Sequence, residues 1–225
     1  MIPVHREGYG LLSILAGLAL LLTLGYLGFR EQGGLVAMTL RVMSLLLWLA
    51  TAFVIFFFRD PERDIPTSLG LVVSPADGTV IGIDEIDEPD FMQARTKRVI
   101  IFLSPFNVHV NRVPHDGEVK YFRYRQGRFL VASEPAASTE NEQSIIGLET
   151  PDGKILFKQI AGILARRIVC EIREGHRVRR GERFGIIKFG SRMEVFMPLN
   201  TEIKVRLREK VRAGESIIGE IKHAA

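Results

Sequence analysis

The sequence predicts a mainly β fold class with an N-terminal α-helical membrane hairpin. Three observations predict it. Two long charge-free runs occupy the first sixty residues. Short β-branched segments, separated by Asp-Gly turns, fill the remainder. A ten-residue pattern occurs twice within that second part.

The first run, Gly8 to Phe29, holds 22 residues without a charge, between Arg6-Glu7 and Arg30-Glu31. As a helix it would be roughly 33 Å long, enough to cross a bilayer core. The second run, Val42 to Phe58, adds 17 uncharged residues, and Leu35 to Leu40 extends it past Arg41. The loop Arg30-Glu31-Gln32-Gly33-Gly34 joins them. A membrane-anchoring hairpin over residues 1–60 is the simplest reading, with a shallow, re-entrant second segment as a variant. A secretory signal peptide competes for the first run, but the apolar stretch is too long for one and a second follows closely. Leucine and phenylalanine on all faces argue against a hairpin buried in a soluble protein. Arg6, Arg59 and Arg63 lie on one side of the hairpin and Arg30 on the other. The positive-inside rule then puts the N-terminus and the large C-terminal part in the cytoplasm.

From about Ile65 the pattern changes. Leu71-Val72-Val73, Thr79-Val80-Ile81, Arg98 to Leu103 and Lys154 to Phe157 read as strands. Ala76-Asp77-Gly78, His115-Asp116-Gly117 and Pro151-Asp152-Gly153 read as turns between them. No long segment with a 3.6-residue period follows, so residues 61–225 are expected to form one β domain. A polar, Ala/Ser-rich stretch from about Glu134 to Gln143 is expected to be a mobile loop.

Composition excludes several classes. The chain has 225 residues, with 30 Lys+Arg against 26 Asp+Glu. That excess is too small to argue for nucleic acid. The single cysteine, Cys170, excludes an internal disulfide and any multi-cysteine metal site, and no metal is expected. The mean hydropathy of +0.14 is the hairpin's doing. Without residues 1–58 the chain keeps 27 basic and 24 acidic residues.

The repeat is Val178-Arg-Arg-Gly-Glu182 against Val211-Arg-Ala-Gly-Glu215, each followed by an apolar strand. Two such Gly turns suggest a quasi-symmetric barrel. The pattern resembles the barrel-sandwich fold of biotinyl and lipoyl carrier domains. Those domains carry a modified lysine at a hairpin tip. Here Gly190-Ser191 stands there instead, which argues against a carrier.

Three stretches hold more polar specificity than a β core needs: Val73 to Thr79, Ser104 to Pro114, and Lys188 to Val195. Each has a bland reading. Asp77 suits a turn, His109 between two valines suits a structural histidine on the face opposite them, and Gly-Ser suits a hairpin. Together with Phe57-Phe58-Arg59-Asp60-Pro61 and Asn141-Glu142, in this order and spacing, they resemble the short form of the phosphatidylserine decarboxylases.

That resemblance implies a proenzyme that cuts itself at Gly190-Ser191, giving chains 1–190 and 191–225 that stay together as a heterodimer. The Ser191 hydroxyl attacks the preceding carbonyl to form an ester. Elimination leaves a dehydroalanine, and hydrolysis makes it a pyruvoyl group, the one expected cofactor. Gly190 permits a strained turn beside the attacked carbonyl. The resemblance makes Asp77 the acid of an Asp-His-Ser maturation triad. Longer family members have two histidines where this chain has His109 and Arg112. Either His109 serves both maturation and decarboxylation, or maturation relies less on histidine. His115, past Pro114, is a weaker substitute.

The mature reaction implied is conversion of phosphatidylserine to phosphatidylethanolamine and CO2 through a Schiff base, with His109 as proton donor. Asn141, Glu142 and Arg112 are expected substrate-binding residues. Arg59, Arg63, Arg123, Arg125 and Arg128 are candidates for lipid phosphate. The enzyme is expected at the cell membrane, on its cytoplasmic face, as a possible homodimer. Competing readings are a decarboxylase of an archaeal-type ether serine phospholipid, a non-catalytic membrane-anchored carrier-like domain, and a membrane protease. The last lacks a second convincing base.

Overall fold

The computed structural model describes residues 3–163, 168–188 and 191–222. The chain divides into two compact units, Met1–Pro61 and Glu62–Ala225.

The first unit is a helical hairpin. Helix α1 spans Tyr9–Phe29 and α2 spans Gly34–Phe57. The turn between them uses Gly33 and Gly34 at φ of 65° and 78°, backbone that residues with a side chain rarely adopt. The helices meet through small and polar groups. Gly25 lets Leu40 approach to 3.7 Å of where a Cβ would stand. Thr23 and Ser44 hydroxyls bond at 2.7 Å, and the Trp48 indole donates to Thr23 Oγ1 at 3.2 Å. Such contacts hold apolar helices together where no hydrophobic drive separates helix from lipid. The open end is stitched by backbone: His5 N–H donates to Phe58 O and Asp60 N–H to Pro3 O, both at 2.8 Å. Both helices are long and apolar enough to cross a membrane. Arg41 lies within α2 rather than before it.

The second unit is β. Its strands are β1 Leu71–Val73, β2 Gly78–Glu88, β3 Ala94–Leu103, β4 Val110–Arg112 and β5 Gly117–Arg125. After the short helix α3, Ala137–Glu140, come β6 Gln143–Thr150, β7 Gly153–Ala161, β8 Ile168–Cys170 and β9 Arg177–Val178. The last are β10 Arg183–Ile187, β11 Ser191–Met197, β12 Thr201–Ile203, β13 Lys210–Val211 and β14 Ile217–Ile221. Eight strands form one curled, antiparallel sheet in the order β13-β2-β3-β11-β7-β6-β5-β9. Two three-stranded sheets, β1-β14-β12 and β4-β10-β8, complete the unit. The expected mainly β architecture with an apolar helical pair is what the chain adopts.

The strand order is a palindrome in kind. Exchanging β13 with β9, β2 with β5, β3 with β6 and β11 with β7 returns the same sheet, and the two small sheets exchange likewise. The Val-Arg-x-Gly-Glu repeat supplies matching turns. Gly181 and Gly214 have φ of 77° and 78°. Their N–H groups donate at 2.8 Å to Val113 O and Ser74 O respectively. Both glycines close on Ile65, whose Cδ1 lies 2.4 and 2.8 Å from the Cβ positions they lack.

A second repeat is visible only with these bonds in view. Pro75-Ala-Asp-Gly78 and Pro114-His-Asp-Gly117 lead into β2 and β5. Asp77 Oδ1 accepts from Ala213 N–H at 2.8 Å, and Asp116 Oδ1 from Arg180 N–H at 3.0 Å. The core lies inside the curl. Val80, Val99, Ile101, Leu103, Ile146, Leu148, Phe157, Phe184, Met193 and Val195 all have no exposed surface. The Glu134–Gln143 stretch expected as a mobile loop instead holds α3 and is tied to the sheet, as described next.

Candidate active site

Register brings the expected residues to one end of the large sheet. Ser191 opens β11 and pairs with Leu103 of β3 on one side and Ala161 of β7 on the other. Beyond β3, Gly78 opens β2 immediately after Asp77. Gly78 must be glycine, because a Cβ there would sit 2.3 Å from Phe102 O. Beyond β7, Ala161 N–H donates to Glu142 O at 2.9 Å. Asp77, Ser191, Asn141 and Glu142 therefore stand along one edge. The segment carrying His109 leaves β3 at that same edge.

Ser191 is fully buried. Its phase along β11 is that of Met193, Val195 and Met197, all core residues. Its Oγ has no hydrogen-bond partner among the described residues. A buried hydroxyl in that state costs stability. Gly190, the other half of the expected cleavage bond, lies outside the described residues.

His109 has no exposed surface and precedes β4. Val108 and Val110 are buried beside it. Alternation does not separate the three, because this segment is covered on both sides. The turn before it is fixed by Asn107 Oδ1, which accepts from the Ser104 N–H at 2.9 Å and hydroxyl at 2.8 Å.

Asp77 is held by Arg63. One guanidinium nitrogen donates to both carboxylate oxygens at 2.9 Å, and Arg63 also lies 3.5 Å from Glu215. The Arg63 side chain is 7% exposed. It is thus a partner of Asp77 and not the lipid-facing arginine expected from sequence. Asp116, the repeat counterpart, shares the backbone bond of Asp77, but among the described residues no arginine side chain pairs with its carboxylate. The ion pair is what sets Asp77 apart.

The three expected substrate-binding residues lie as follows. Asn141 is fully buried and its amide is committed to backbone: it receives Leu130 N–H and donates to Leu130 O and Ala161 O, at 2.7 to 2.9 Å. It ties the 128–140 segment to the end of β7. Arg112 is 5% exposed and donates to Gly181 O at 2.9 Å, at the meeting point of the two Gly turns. Glu142 lines a cleft of about 490 Å³ with Tyr124, Ser144, Cys170 and Arg173. The Tyr124 hydroxyl titrates higher than usual, through burial first and its bond to Glu142 second. His115 is engaged elsewhere, with Nε2 3.0 Å from Asp152 Oδ2.

Two features escaped the sequence reading. The first is an amide pair: Gln159 Nε2 donates to Asn111 Oδ1 at 2.9 Å, both residues fully buried. Gln159 shares the core phase of Ile155, Phe157 and Ala161, and sits one pairing step from Ser191. A polar residue in that phase was the available signal. The second is Arg192. Its guanidinium is 2% exposed and pairs with Glu194 at 2.8 Å. It also donates to Ala132 O at 3.0 Å, to Glu134 O at 2.9 Å, and to the Ser138 hydroxyl. Arg98 completes the cluster, 3.4 Å from Glu194. The residue next to Ser191 thereby fastens the 132–138 segment over the outer face of the sheet.

A profile of the phosphatidylserine decarboxylase family matches residues 50–219. The chain belongs to that family. It is a decarboxylase, a carboxy-lyase. A phosphatidylserine decarboxylase proenzyme from Syntrophus aciditrophicus is 54% identical over 76% of this chain and 80% of its own length. Proenzymes of the same name from Amoebophilus asiaticus and Cytophaga hutchinsonii are 42% and 41% identical. These two matches cover 98% and 96% of this chain, and 97% and 98% of their own lengths. The family's decarboxylases of this proenzyme type fit a group made from the chain itself, and no cluster of metal-binding side chains occurs among the described residues.

Cys170 is a half-buried free cysteine beside Glu142 in the same cleft. Burial pushes its thiol up to about 11, so it stays protonated, and inert, below that pH. In folded protein at pH 8, iodoacetamide is expected to leave Cys170 unmodified, with full labelling after denaturation. Mass spectrometry of the native sample checks this, and rapid native labelling contradicts it.

Proposed function

We propose that the protein converts phosphatidylserine to phosphatidylethanolamine and CO2 in phospholipid biosynthesis, using a pyruvoyl group formed from Ser191 by self-cleavage at Gly190-Ser191. The observation that carries this is the buried, unbonded Ser191 hydroxyl at the head of β11 in a chain of this family.

The residues fit such a group. Position 191 is walled by core side chains and flanked by strands on both sides, so water is scarce and geometry fixed. In cleavage, Ser191 Oγ attacks the carbonyl carbon of residue 190, and the C–N bond breaks as the ester forms. Elimination releases the carboxylate of residue 190, and hydrolysis at residue 191 releases ammonia. His109 is the proposed base for the hydroxyl proton. Asp77, neutralised by Arg63, secures the adjoining end of β2 and β13. β11 keeps its ladders to β3 and β7 after the break, so chains 1–190 and 191–225 stay together.

A pyruvoyl carbonyl at this position supplies an electron sink for an amino-acid headgroup losing CO2. His109 then delivers a proton to the α-carbon of the product. Residues 1–60 anchor the chain in the cell membrane, with residues 61–225 on the cytoplasmic side, so that a two-chain lipid reaches the site without leaving the bilayer.

Purified protein in phosphatidylserine vesicles is expected to release one CO2 per phosphatidylethanolamine formed. Absence of both products from self-cleaved protein would overturn the assignment.

A further inference from the structure

Two exposed apolar side chains flank Ser191. The strands on either side of it, β3 and β7, end at its register partners Leu103 and Ala161. Three residues past Leu103 stands Phe106, 70% exposed. Two residues past Ala161 stands Ile163, 57% exposed. Single exposed apolar residues are ordinary. Two just past the strand ends that bracket one buried hydroxyl form an arrangement.

Charge accompanies them. Phe106 lines a cleft of about 340 Å³ together with Asp77, Lys210 and Arg212. Asp77 is balanced by Arg63. Glu215 stands 3.5 Å from Arg63 and 3.6 Å from Arg212, whose side chain is 72% exposed. The three basic and two acidic groups leave one net positive charge beside an exposed phenyl ring. An aromatic tip with basic neighbours suits the interface of an anionic bilayer, where the ring enters the acyl boundary and the cations meet lipid phosphate.

We infer that the Ser191 end of the β unit docks directly on an anionic bilayer through Phe106 and Ile163, with Lys210 and Arg212 on the headgroups. This rests on the proposed action on a membrane lipid and adds a contact distinct from the helical hairpin. It shortens the path of a lipid headgroup from the bilayer to position 191.

The far end of β11 offers a control. Leu199 is 44% exposed, just past Met197. Seven strand residues separate the ends, roughly 20 Å at about 3.3 Å per residue. The test uses the full chain in nanodiscs containing brominated phosphatidylglycerol. Trp48, the only tryptophan, is first replaced (Trp48→Phe), and Phe106→Trp or Leu199→Trp is added. Strong quenching at position 106 and none at 199 is the expected result. No quenching at 106, or equal quenching at both, overturns the inference, including the case in which a second copy covers Phe106.

A kinetic arm uses Phe106→Ser, which is expected to raise KM for phosphatidylserine in vesicles by about tenfold or more. An unchanged KM contradicts the docking role. The quenching result stands or falls without turnover, so failure of the wild-type chain to release CO2 would remove the proposed function alone.

Discussion

Ser191→Ala is expected to leave the chain whole and to abolish decarboxylation. The wild-type chain should run as two pieces, residues 1–190 and 191–225, while the variant keeps the full 25.3 kDa. The effect is complete because, in the proposed reaction, one residue does two things in sequence. Its Oγ is the nucleophile that breaks the bond to residue 190, and its Cα becomes the carbonyl carbon of the electron sink. Folding should be little disturbed. The Ser191 hydroxyl has no hydrogen-bond partner among the described residues, so its removal strands no donor or acceptor there. Relieving a buried, unbonded polar group is neutral or stabilising. A variant that unfolds, or one that still splits at the same bond, would contradict this role. Denaturation and gel mobility of the same preparation check both.

Arg192→Met is expected to have the largest effect on stability. The guanidinium pairs with Glu194, whose side chain has no exposed surface. Removing it leaves that carboxylate with Arg98 at 3.4 Å and the Ser138 hydroxyl. Breaking one partner out of a buried pair typically costs about 3–5 kcal/mol. Replacing both, Arg192→Met with Glu194→Leu, should recover much of the loss, since no buried charge remains uncompensated at that site. Chemical denaturation of the three proteins in one detergent measures this. Amide exchange should also rise over residues 132–138, which lose their bonds to the guanidinium. An unchanged midpoint for the single variant would show the cluster to be dispensable.

Much of this was legible in the residues. The hairpin announced itself because a membrane helix needs a long charge-free run, and no β strand among the described residues approaches that length. The β unit was legible from β-branched segments and Asp-Gly turns. Asp77, His109 and Ser191 were legible as residue types at motif spacing. That Ser191 and the start of β2 after Asp77 stand at the same end of the large sheet was not, because it depends on register between strands far apart in sequence.

The misses have physical causes. Arg192 and Glu194 alternate with the core residues of β11, and in most sheets that phase faces water. Only the 132–138 segment, folded across it, buries them. A polar, alanine-rich composition gave that segment the look of a mobile loop, although its order comes from carbonyls accepting an arginine sixty residues away in sequence. The Pro-x-Asp-Gly repeat was hidden because its two copies share only three positions and differ around them. The hydrogen bonds of Asp77 and Asp116 reveal it. Arg63 looked like a membrane-facing cation because position along the chain carries no record of its partner.

The most direct test is the exact mass of the small fragment from purified wild-type protein. A fragment of residues 191–225 whose first residue is lighter than serine by one ammonia is the expected result, since the pyruvoyl group retains serine's carbons and loses its nitrogen. A fragment that begins with an intact serine would reduce the break to ordinary proteolysis. An uncut chain with full decarboxylase activity would contradict the account outright.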